Sequence, residues 1–225
     1  MSKIMLVDGN SIANRAFYAL PPLSNSKGIY TNAIVGFMNM FFRFYEMEKP
    51  DLIRVAFDLK APTFRHIAYK EYKGQRKAMP DELSMQMPII KELLGLMNVP
   101  IMQMEGFEAD DLIGTMAKAY EQKGYDVSIV SGDRDLLQVT TDKICVVMPK
   151  TKAGHTEVER YYENDVIEKV KQRVNGNICL NSNANVDERS FSGREKEASA
   201  DISRPSPEFL CKRCYIHSQW NQDPT

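Results

Sequence analysis

The sequence predicts an α/β fold with a mostly parallel central sheet and helices on both faces. Over the first 170 residues, short apolar runs typical of buried strands alternate with longer segments of helical periodicity. Strands that alternate with helices usually pair in parallel, because each crossover helix returns the chain to the same edge of the sheet. The chain has 225 residues, 43% of them hydrophobic, which is enough for one core of ordinary domain size.

Five apolar runs are predicted to form the strands of this sheet. The first is Ile4–Val7, which ends at Asp8, and the second is Leu52–Phe57, which ends at Asp58. A shorter strand is expected at Pro100–Met104. The last two runs are Val127–Val130 and Ile144–Met148.

Helical segments separate these runs. Ser11 is expected to cap the first helix and Thr31 the second, which continues to about Glu48 with an apolar face that includes Phe42. The methionines, Met85 among them, are interpreted as filler of the hydrophobic core. Further helices are predicted at Glu82–Met97, Glu108–Lys123 and Tyr162–Val170.

Composition and charge exclude several classes of protein. The net charge of −1 gives no global attraction to nucleic acid or membrane, so any such binding must come from a local patch. No apolar run approaches the roughly 18 residues of a membrane span, and the first run meets an acid too early for a secretory signal. Four cysteines without a signal indicate a reducing cytoplasm. We therefore expect a cytoplasmic chain with no membrane partner, and no protein partner can be inferred.

Composition changes after about residue 170. Residues 171–225 are rich in Asn and Ser and show no sustained periodicity, so we expect them to form an atypical, disordered tail. The predicted organisation is one folded domain at 1–170 followed by this tail at 171–225. A frameshifted or rearranged gene is one hypothesis for the abrupt change.

Carboxylates gather at the ends of the predicted strands. Three of them fall within four residues in Glu108-Ala109-Asp110-Asp111, at a predicted helix start, and others directly follow apolar runs. Because the carboxyl ends of parallel strands share one edge of a sheet, these side chains are expected to lie near one another. The complete set is Asp8, Asp58, Glu108, Asp110, Asp111, Asp133 and Asp135.

Two interpretations of these acids are open. A buried carboxylate is costly unless it is paired or bound to a metal, and carboxylate oxygens are preferred ligands of Mg²⁺ and Mn²⁺. The sequence therefore predicts a divalent metal site, and two such ions could activate water for phosphodiester cleavage. The alternative is that Asp110 and Asp111 only cap a helix on a solvated acidic face.

A basic stretch follows the second predicted strand. Residues Lys60 to Lys77 include seven basic or histidine side chains but only one acid, Glu71, and aromatic residues are interleaved among them. Cations can contact phosphates and rings can stack on bases, although a solvated basic helix would show the same pattern. Because the stretch comes directly after Asp58, it should overhang the acidic edge. The members are Lys60, Phe64, Arg65, His66, Tyr69, Lys70, Tyr72, Lys73, Arg76 and Lys77.

Taken together, these residues carry a family resemblance. From Lys3 to about Val170 the chain resembles the N-terminal 5′–3′ exonuclease domain of bacterial DNA polymerase I, a flap-endonuclease family related to PIN-type nucleases. The matching stretches are Leu6-Val7-Asp8-Gly9-Asn10-Ser11, Arg15-Ala16-Phe17-Tyr18-Ala19-Leu20-Pro21-Pro22-Leu23, Asn25-Ser26-Lys27-Gly28, Ala56-Phe57-Asp58, Thr63-Phe64-Arg65-His66, Tyr72-Lys73 with Arg76, Pro80-Asp81-Glu82-Leu83, Glu108-Ala109-Asp110-Asp111-Leu112-Ile113-Gly114-Thr115 and Gly132-Asp133-Arg134-Asp135-Leu136-Leu137-Gln138.

The resemblance implies a PIN-like 5′-nuclease fold with a helical arch after the second strand. It implies a first metal site, completed by two further acids, that holds Mg²⁺ or Mn²⁺, two ions in the intact family site. Lys73 and Arg76 would stabilise the phosphate being cleaved, Tyr72 would stack on a base, and Arg15 and Arg65 would contact further phosphates. The first metal site would be Asp8, Asp58, Glu108, Asp110 and Asp111, and the completing acids Asp133 and Asp135.

The implied substrate is DNA with a 5′ single-stranded end or flap, or an RNA primer, during replication and repair. After Val170 the family continues with a Gly-Asp…Asp-Asn segment that carries two more metal-binding acids and with an element that grips duplex DNA, and neither is found in the sequence. Two alternatives to an active nuclease therefore stay open: a DNA-binding remnant that cuts poorly or not at all, and a truncated product without stable function. A ribonuclease of the wider PIN type is a further enzyme alternative.

Overall fold

The computed structural model describes residues 2–69, 71–74, 78–152 and 155–171. Lys70, Arg76 and Lys77 of the basic stretch lie outside the described residues, as does the predicted tail beyond residue 171. The chain divides into two units, Met1–Glu163 and Asn164–Thr225. The fold and the candidate site below belong to the first unit, and in the second the described part is helical up to residue 171.

Six strands form one sheet in the spatial order β3-β2-β1-β4-β5-β6. The first five pair in parallel, and β6 is antiparallel to β5. The predicted α/β class with a mostly parallel sheet is therefore confirmed. The strands are β1 (Lys3–Asp8), β2 (Leu52–Ala56), β3 (Ile101–Met102), β4 (Asp126–Val130), β5 (Ile144–Lys152) and β6 (His155–Tyr161).

Five α-helices and one 3-10 helix belong to the same unit. Alternate residues of β1, Met5 and Val7, join a core cluster with side chains of α1, α2 and α4, while α5 packs on β1 from the side to which the other β1 residues point. Helices therefore cover both faces of the sheet. They are α1 (Gly9–Ala19), α2 (Asn32–Glu48), α3 (Phe64–Ala68), α4 (Asp81–Leu96), α5 (Ala109–Gln122) and the 3-10 helix Asp135–Val139.

The N-cap of α1 differs from the prediction. Asp8, not Ser11, caps the helix, and its side chain accepts a hydrogen bond from the Ser11 backbone N–H. The Ser11 hydroxyl instead accepts from the backbone N–H of Gly132, 2.9 Å away. The first acid of the candidate site is thus also the residue that starts the first helix.

The cap of α2 is supplied by a distant side chain. Thr31 occupies the N-cap position, as predicted, but its side chain makes no capping bond. Gln86 of α4 accepts hydrogen bonds from the backbone N–H groups of Ala33 and Ile34 at 2.8 and 3.2 Å. A fully buried glutamine therefore joins α2 to α4 behind the site.

Two apolar side chains predicted to be buried are not. Phe42 is 48% exposed and Met85 is 54% exposed. Each lies in a helix whose neighbouring turns are buried, so the error concerns which side of the helix the residue occupies. None of the helices in the described part of the chain combines the length and the apolar character needed to cross a membrane.

A buried ionic cluster holds the edge of the sheet opposite the acids. The side chain of Glu48, at the end of α2, is fully buried and contacts the Lys3 ammonium at 2.7 Å and the Arg160 guanidinium at 2.6 Å. The Ser128 hydroxyl donates to the same carboxylate at 2.7 Å. Burial raises the pKa of Glu48, but these hydrogen bonds outweigh it, and the net pKa is lowered.

Candidate active site

Four segments bring carboxylates to the carboxyl edge of the sheet. Asp8 is the last residue of β1, Asp58 follows β2 by two residues, and Asp133 follows β4 by three. Glu108 is the N-cap of α5, the helix that comes after β3. The structure thus brings these acids to one edge of the sheet, as predicted, because the parallel strands all end there.

Asp8 is buried at this edge. It is 7% exposed, and its two carboxylate oxygens accept hydrogen bonds from the Ser11 backbone N–H at 2.9 Å and the Ser131 hydroxyl at 2.8 Å. Burial raises the pKa of Asp8 above its ordinary value, the two hydrogen bonds oppose this, and the charges of Asp58 and Asp133 add to the rise. Asp58 and Asp133 are therefore both close enough to repel the charge of Asp8.

Asp58 is held between two helix starts. Its carboxylate accepts from the Asn10 side-chain amide at 2.7 Å and from the Ala109 backbone N–H at 2.7 Å. The other side-chain atom of this amide, Asn10 Oδ1, is buried and has no hydrogen-bond partner among the described residues. Sequence reasoning missed Asn10, although the Asp8-Gly9-Asn10-Ser11 stretch that carries the resemblance contains it.

Gly9 allows α1 to start against the second strand. A Cβ atom at this position would lie 2.3 Å from the Phe57 ring, well inside any real contact. The ring of Phe57 is buried directly before Asp58. A side chain at position 9 would therefore push apart the two segments that carry Asp8 and Asp58.

The second group of acids is paired with the basic stretch. The Arg65 guanidinium donates to both carboxylate oxygens of Asp111 at 2.7 Å each and to Glu108 at 3.2 Å. The Lys73 ammonium contacts Glu108 at 2.8 Å, and the Tyr72 hydroxyl donates to the same carboxylate at 3.0 Å. The predicted overhang of the basic stretch above the acids is thus observed for Arg65, Tyr72 and Lys73.

Asp110 lies beside this pairing without joining it. Burial is the main cause that raises its pKa to about 6, the negative charge of Asp111 adds to the rise, and the Arg65 charge opposes it. Its carboxylate accepts from the Asp111 backbone N–H at 2.8 Å, and Asp111 accepts from the Glu108 backbone N–H at 3.1 Å. The helix-capping interpretation of Asp110 and Asp111 therefore holds as well, but it leaves Asp110 with an ionisation cost that capping does not remove.

Arg65, His66 and Tyr72 of the basic stretch, which the resemblance assigns to an arch, lie close to the second group of acids. Arg65 lies in α3, a five-residue helix that the sequence did not predict, and its hydrogen bonds to Asp111 raise its pKa. The Tyr72 ring meets His66 edge to face with centroids 5.2 Å apart. Burial and the bond to Glu108 raise the pKa of the Tyr72 hydroxyl. The proposed stacking of Tyr72 on a base stays a prediction.

The remaining predicted residues are placed less closely. Asp133 and Asp135 are exposed, and the Asp135 backbone N–H donates to the Asp133 carboxylate at 3.0 Å. Arg15 is half-buried on α1, where burial lowers its pKa, and its phosphate contact stays a prediction. Within 2–69, 71–74, 78–152 and 155–171, no three acidic, histidine or cysteine side chains converge closely enough to hold one ion.

The chemistry of the donors nevertheless fits a hard divalent cation. The donors are oxygens, their negative charges raise one another's pKa values at Asp8 and Asp110, and the buried Asn10 Oδ1 adds an oxygen without a partner. Arg65 and Lys73 act as counterions for Glu108 and Asp111. The negative charge at this edge therefore calls for cations, either basic side chains or bound metal ions.

Residues 3–171 match the model of a family described as the 5′-3′ exonuclease, N-terminal resolvase-like domain. DNA polymerase I of Bacillus subtilis is 51% identical over 167 residues, which are 74% of this chain and 19% of that protein. A 5′-3′ exonuclease of Aquifex aeolicus is 45% identical over 149 residues, 66% of this chain and 52% of the relative. The chain thus spans about a fifth to a half of the length of these relatives.

Solved structures with the same fold come from bacteriophage T5. A T5 flap endonuclease in a complex with DNA and metal ions has a TM-score of 0.58 at 20% identity, covering 74% of this chain and 60% of that one. A T5 5′-exonuclease with bound zinc ions has a TM-score of 0.56 at 22% identity, with the same two coverages. At such identities the likeness concerns the fold.

Proposed function

Because the chain belongs to the family of 5′-3′ exonuclease N-terminal, resolvase-like domains, we propose that it hydrolyses phosphodiester bonds in nucleic acid as a metal-dependent 5′ nuclease. The proposed substrate is DNA with a 5′ single-stranded end or flap, or an RNA primer on DNA. The nuclease domain would be residues 1–170, which the family match over 3–171 supports. The proposed setting is replication and repair in the cytoplasm, as its DNA polymerase I relatives suggest.

One observation carries the proposal: carboxylates gather at the carboxyl edge of the sheet, and basic and aromatic side chains contact two of them, Glu108 and Asp111. Asp8 and Asp110 have raised pKa values because burial and neighbouring acids oppose their ionisation. An arrangement that is costly for folding is common where charge is needed for chemistry. Cleavage of a polyanion needs both parts, a cation site for the reacting phosphate and cationic side chains for its neighbours.

The proposed metal ligands are the seven acids at the sheet edge, and the metal is Mg²⁺ or Mn²⁺, two ions in the complete site. Such ions supply Lewis-acid chemistry that activates water and neutralises charge on the leaving oxygen. Asn10 orients Asp58 through its amide and Ser131 orients Asp8 through its hydroxyl. The ligands are Asp8, Asp58, Glu108, Asp110, Asp111, Asp133 and Asp135.

The arch residues would act on the substrate. Arg65 and Lys73, which now neutralise Asp111 and Glu108, would transfer their hydrogen bonds to phosphate oxygens once divalent cations take over the acids. Tyr72 lies next to Lys73 and would present its ring to a base at the cleaved end. Arg76 would join them, from outside the described residues.

A second candidate function is binding of branched DNA with little cleavage. It is favoured by the pairing of Glu108 with Arg65 and Lys73, which leaves no three described acids converged on one ion. In this case the basic side chains would still bind phosphates, and only the chemical step would be lost. Binding and cleavage must therefore be measured separately.

The test uses a 5′-labelled flap duplex and the full chain. We expect products that appear with Mg²⁺ or Mn²⁺, disappear with a chelator, and arise near the junction of single strand and duplex. The Asp110→Asn/Asp111→Asn double variant should bind the same duplex and give no products. Binding without products by the unchanged chain would favour the second candidate, and products from the double variant would refute the assigned acids.

A further inference from the structure

Lys91 is a half-buried lysine near the acidic edge of the sheet that forms no ion pair with the acids described above. It lies on α4, and its ammonium is 4.8 Å from the centroid of the Phe57 ring. That ring is buried and immediately precedes Asp58. The half-buried Lys91 side chain therefore ends beside the acidic edge, on a different element from the one that carries Arg65 and Lys73.

The ammonium has no partner that would explain its position. No carboxylate lies within ion-pair distance of it, and its three donors have no acceptor among the described residues. Asp58 is near enough for its charge to raise the pKa of Lys91, although burial lowers that pKa more. Both oxygens of Asp58 already accept hydrogen bonds, from Asn10 and Ala109. Lys91 is thus close to the acids without being bound to them.

A second lysine lies on the same side. Lys60, two residues after Asp58, donates from its ammonium to the Ser84 hydroxyl in the first turn of α4 at 3.3 Å. Ser84 and Lys91 are seven residues apart in a helix, which places them on one face. Burial lowers the pKa of Lys91, and the charge of Lys60 lowers it further.

Two lysine side chains that contact or lie on one face of α4, of which Lys91 has no acceptor among the described residues, are suited to receive an anion. A partly desolvated ammonium binds a phosphate oxygen more strongly than one in bulk water, because fewer water contacts must be replaced. Phosphate contacts of this kind position a nucleic acid without reading its sequence. Arg65 and Lys73 pair with Glu108 and Asp111, whereas the charge of Asp58 acts on Lys91, and Lys60 follows Asp58 by two residues.

We propose that Lys91, together with Lys60, forms a second phosphate-binding position on the α4 side of the acidic edge, which holds a backbone phosphate of the bound strand next to the one that is cleaved. The inference rests on the proposed function, since it assumes that nucleic acid occupies this edge. Lys91 is on this account a binding residue and takes no part in the chemical step.

The test measures equilibrium binding of a 5′-labelled flap duplex to the full chain by fluorescence anisotropy, with Ca²⁺ in place of Mg²⁺, over a series of salt concentrations. Lys91→Met keeps an apolar stem over Phe57 and removes the charge, while Lys91→Arg keeps the charge. Lys143→Ala is the matched control, because exposed Lys143 precedes β5 at the opposite edge of the sheet. Thermal unfolding of each variant reports whether it folds.

We expect Lys91→Met to weaken binding roughly three- to tenfold and to reduce the slope of log affinity against log salt by about one. Lys91→Arg and Lys143→Ala should behave like the unchanged chain. Unchanged affinity and slope in Lys91→Met would overturn the inference, as would a weaker affinity with an unchanged slope, since that indicates a structural role. Failure of the unchanged chain to bind the duplex would overturn the proposed function itself, and this inference with it.

Discussion

Replacing Asp110 by Asn is expected to abolish cleavage and, at the same time, to stabilise the fold. The chemical effect follows from the proposed role of Asp110 as a metal ligand, because an amide does not supply the charge that holds a divalent cation. We expect the rate of flap cleavage in Mg²⁺ to fall roughly 10²- to 10³-fold or more.

The stabilising effect follows from the pKa of Asp110, which burial first and the charge of Asp111 second raise from 3.8 to about 6. At pH 7 the carboxyl is ionised in both states, but ionisation costs more in the folded state. The ionised carboxyl therefore lowers the free energy of unfolding most fully above about pH 6. This loss shrinks as the pH falls towards 3.8, and it disappears below that, where the carboxyl is protonated in both states. Because Asp110 is partly exposed, screening reduces the effect to about 1 kcal/mol.

The measurement is chemical denaturation at pH 7.5 and pH 5 in the presence of a chelator, so that no metal compensates the acids. Asp110→Asn should be more stable than the unchanged chain at pH 7.5, and the difference should shrink at pH 5. The matched control is Asp142→Asn, which neutralises an exposed acid at the other edge of the sheet. If Asp110→Asn were less stable than the unchanged chain at pH 7.5, the claim that ionised Asp110 destabilises the fold would be contradicted, whatever the activity of the variant.

Replacing Arg65 by Ala is expected to raise the affinity of the chain for divalent cations while lowering cleavage. Arg65 donates two hydrogen bonds to Asp111 and one to Glu108, so it competes with a metal for both acids. Its removal leaves carboxylates without their counterion, and a divalent cation would take its place. Hydrogen bonds to charged groups contribute about 1.5–3 kcal/mol, so the affinity for Mn²⁺ should increase roughly tenfold or more.

The opposite effect on cleavage separates this account from a purely structural role. At saturating Mn²⁺, Arg65→Ala should cleave much more slowly, because the guanidinium that is proposed to contact the phosphate is lost. Arg43→Ala, which removes an exposed guanidinium from α2, is the control for charge and should change neither quantity. Metal affinity that stays the same or falls in Arg65→Ala would show that the pairing with Asp111 does not compete with metal.

The parallel sheet could be predicted because its inner strands are short, mostly apolar runs, and Ile4–Val7 and Val127–Val130 are buried on both faces. Strand β6 was missed because His155–Tyr161 is largely polar and pairs only at the sheet edge. The edge strand owes its position to pairing with β5, which no local pattern reveals.

The candidate site could be predicted as a set of acids on one edge but not as a geometry. Parallel strand ends were sufficient to bring Asp8 and Asp58 together. The pairing of Arg65 with Asp111 depends on α3, whose five residues are too few for a helical periodicity to appear in the sequence. Asn10 and Lys91 were missed because their roles depend on neighbours 48 and 34 residues away along the chain, Asp58 and Phe57.

The most direct test of the account is a Mn²⁺ titration of the full chain, with and without the Asp110→Asn/Asp111→Asn substitutions. Binding is measured from the electron paramagnetic resonance signal of the free ion. The account predicts saturable binding by the unchanged chain and by Asp142→Asn, and a loss of at least tenfold in affinity in the double variant. Equal binding by the double variant and the unchanged chain would contradict it, because the acids at the sheet edge would then not be the metal site.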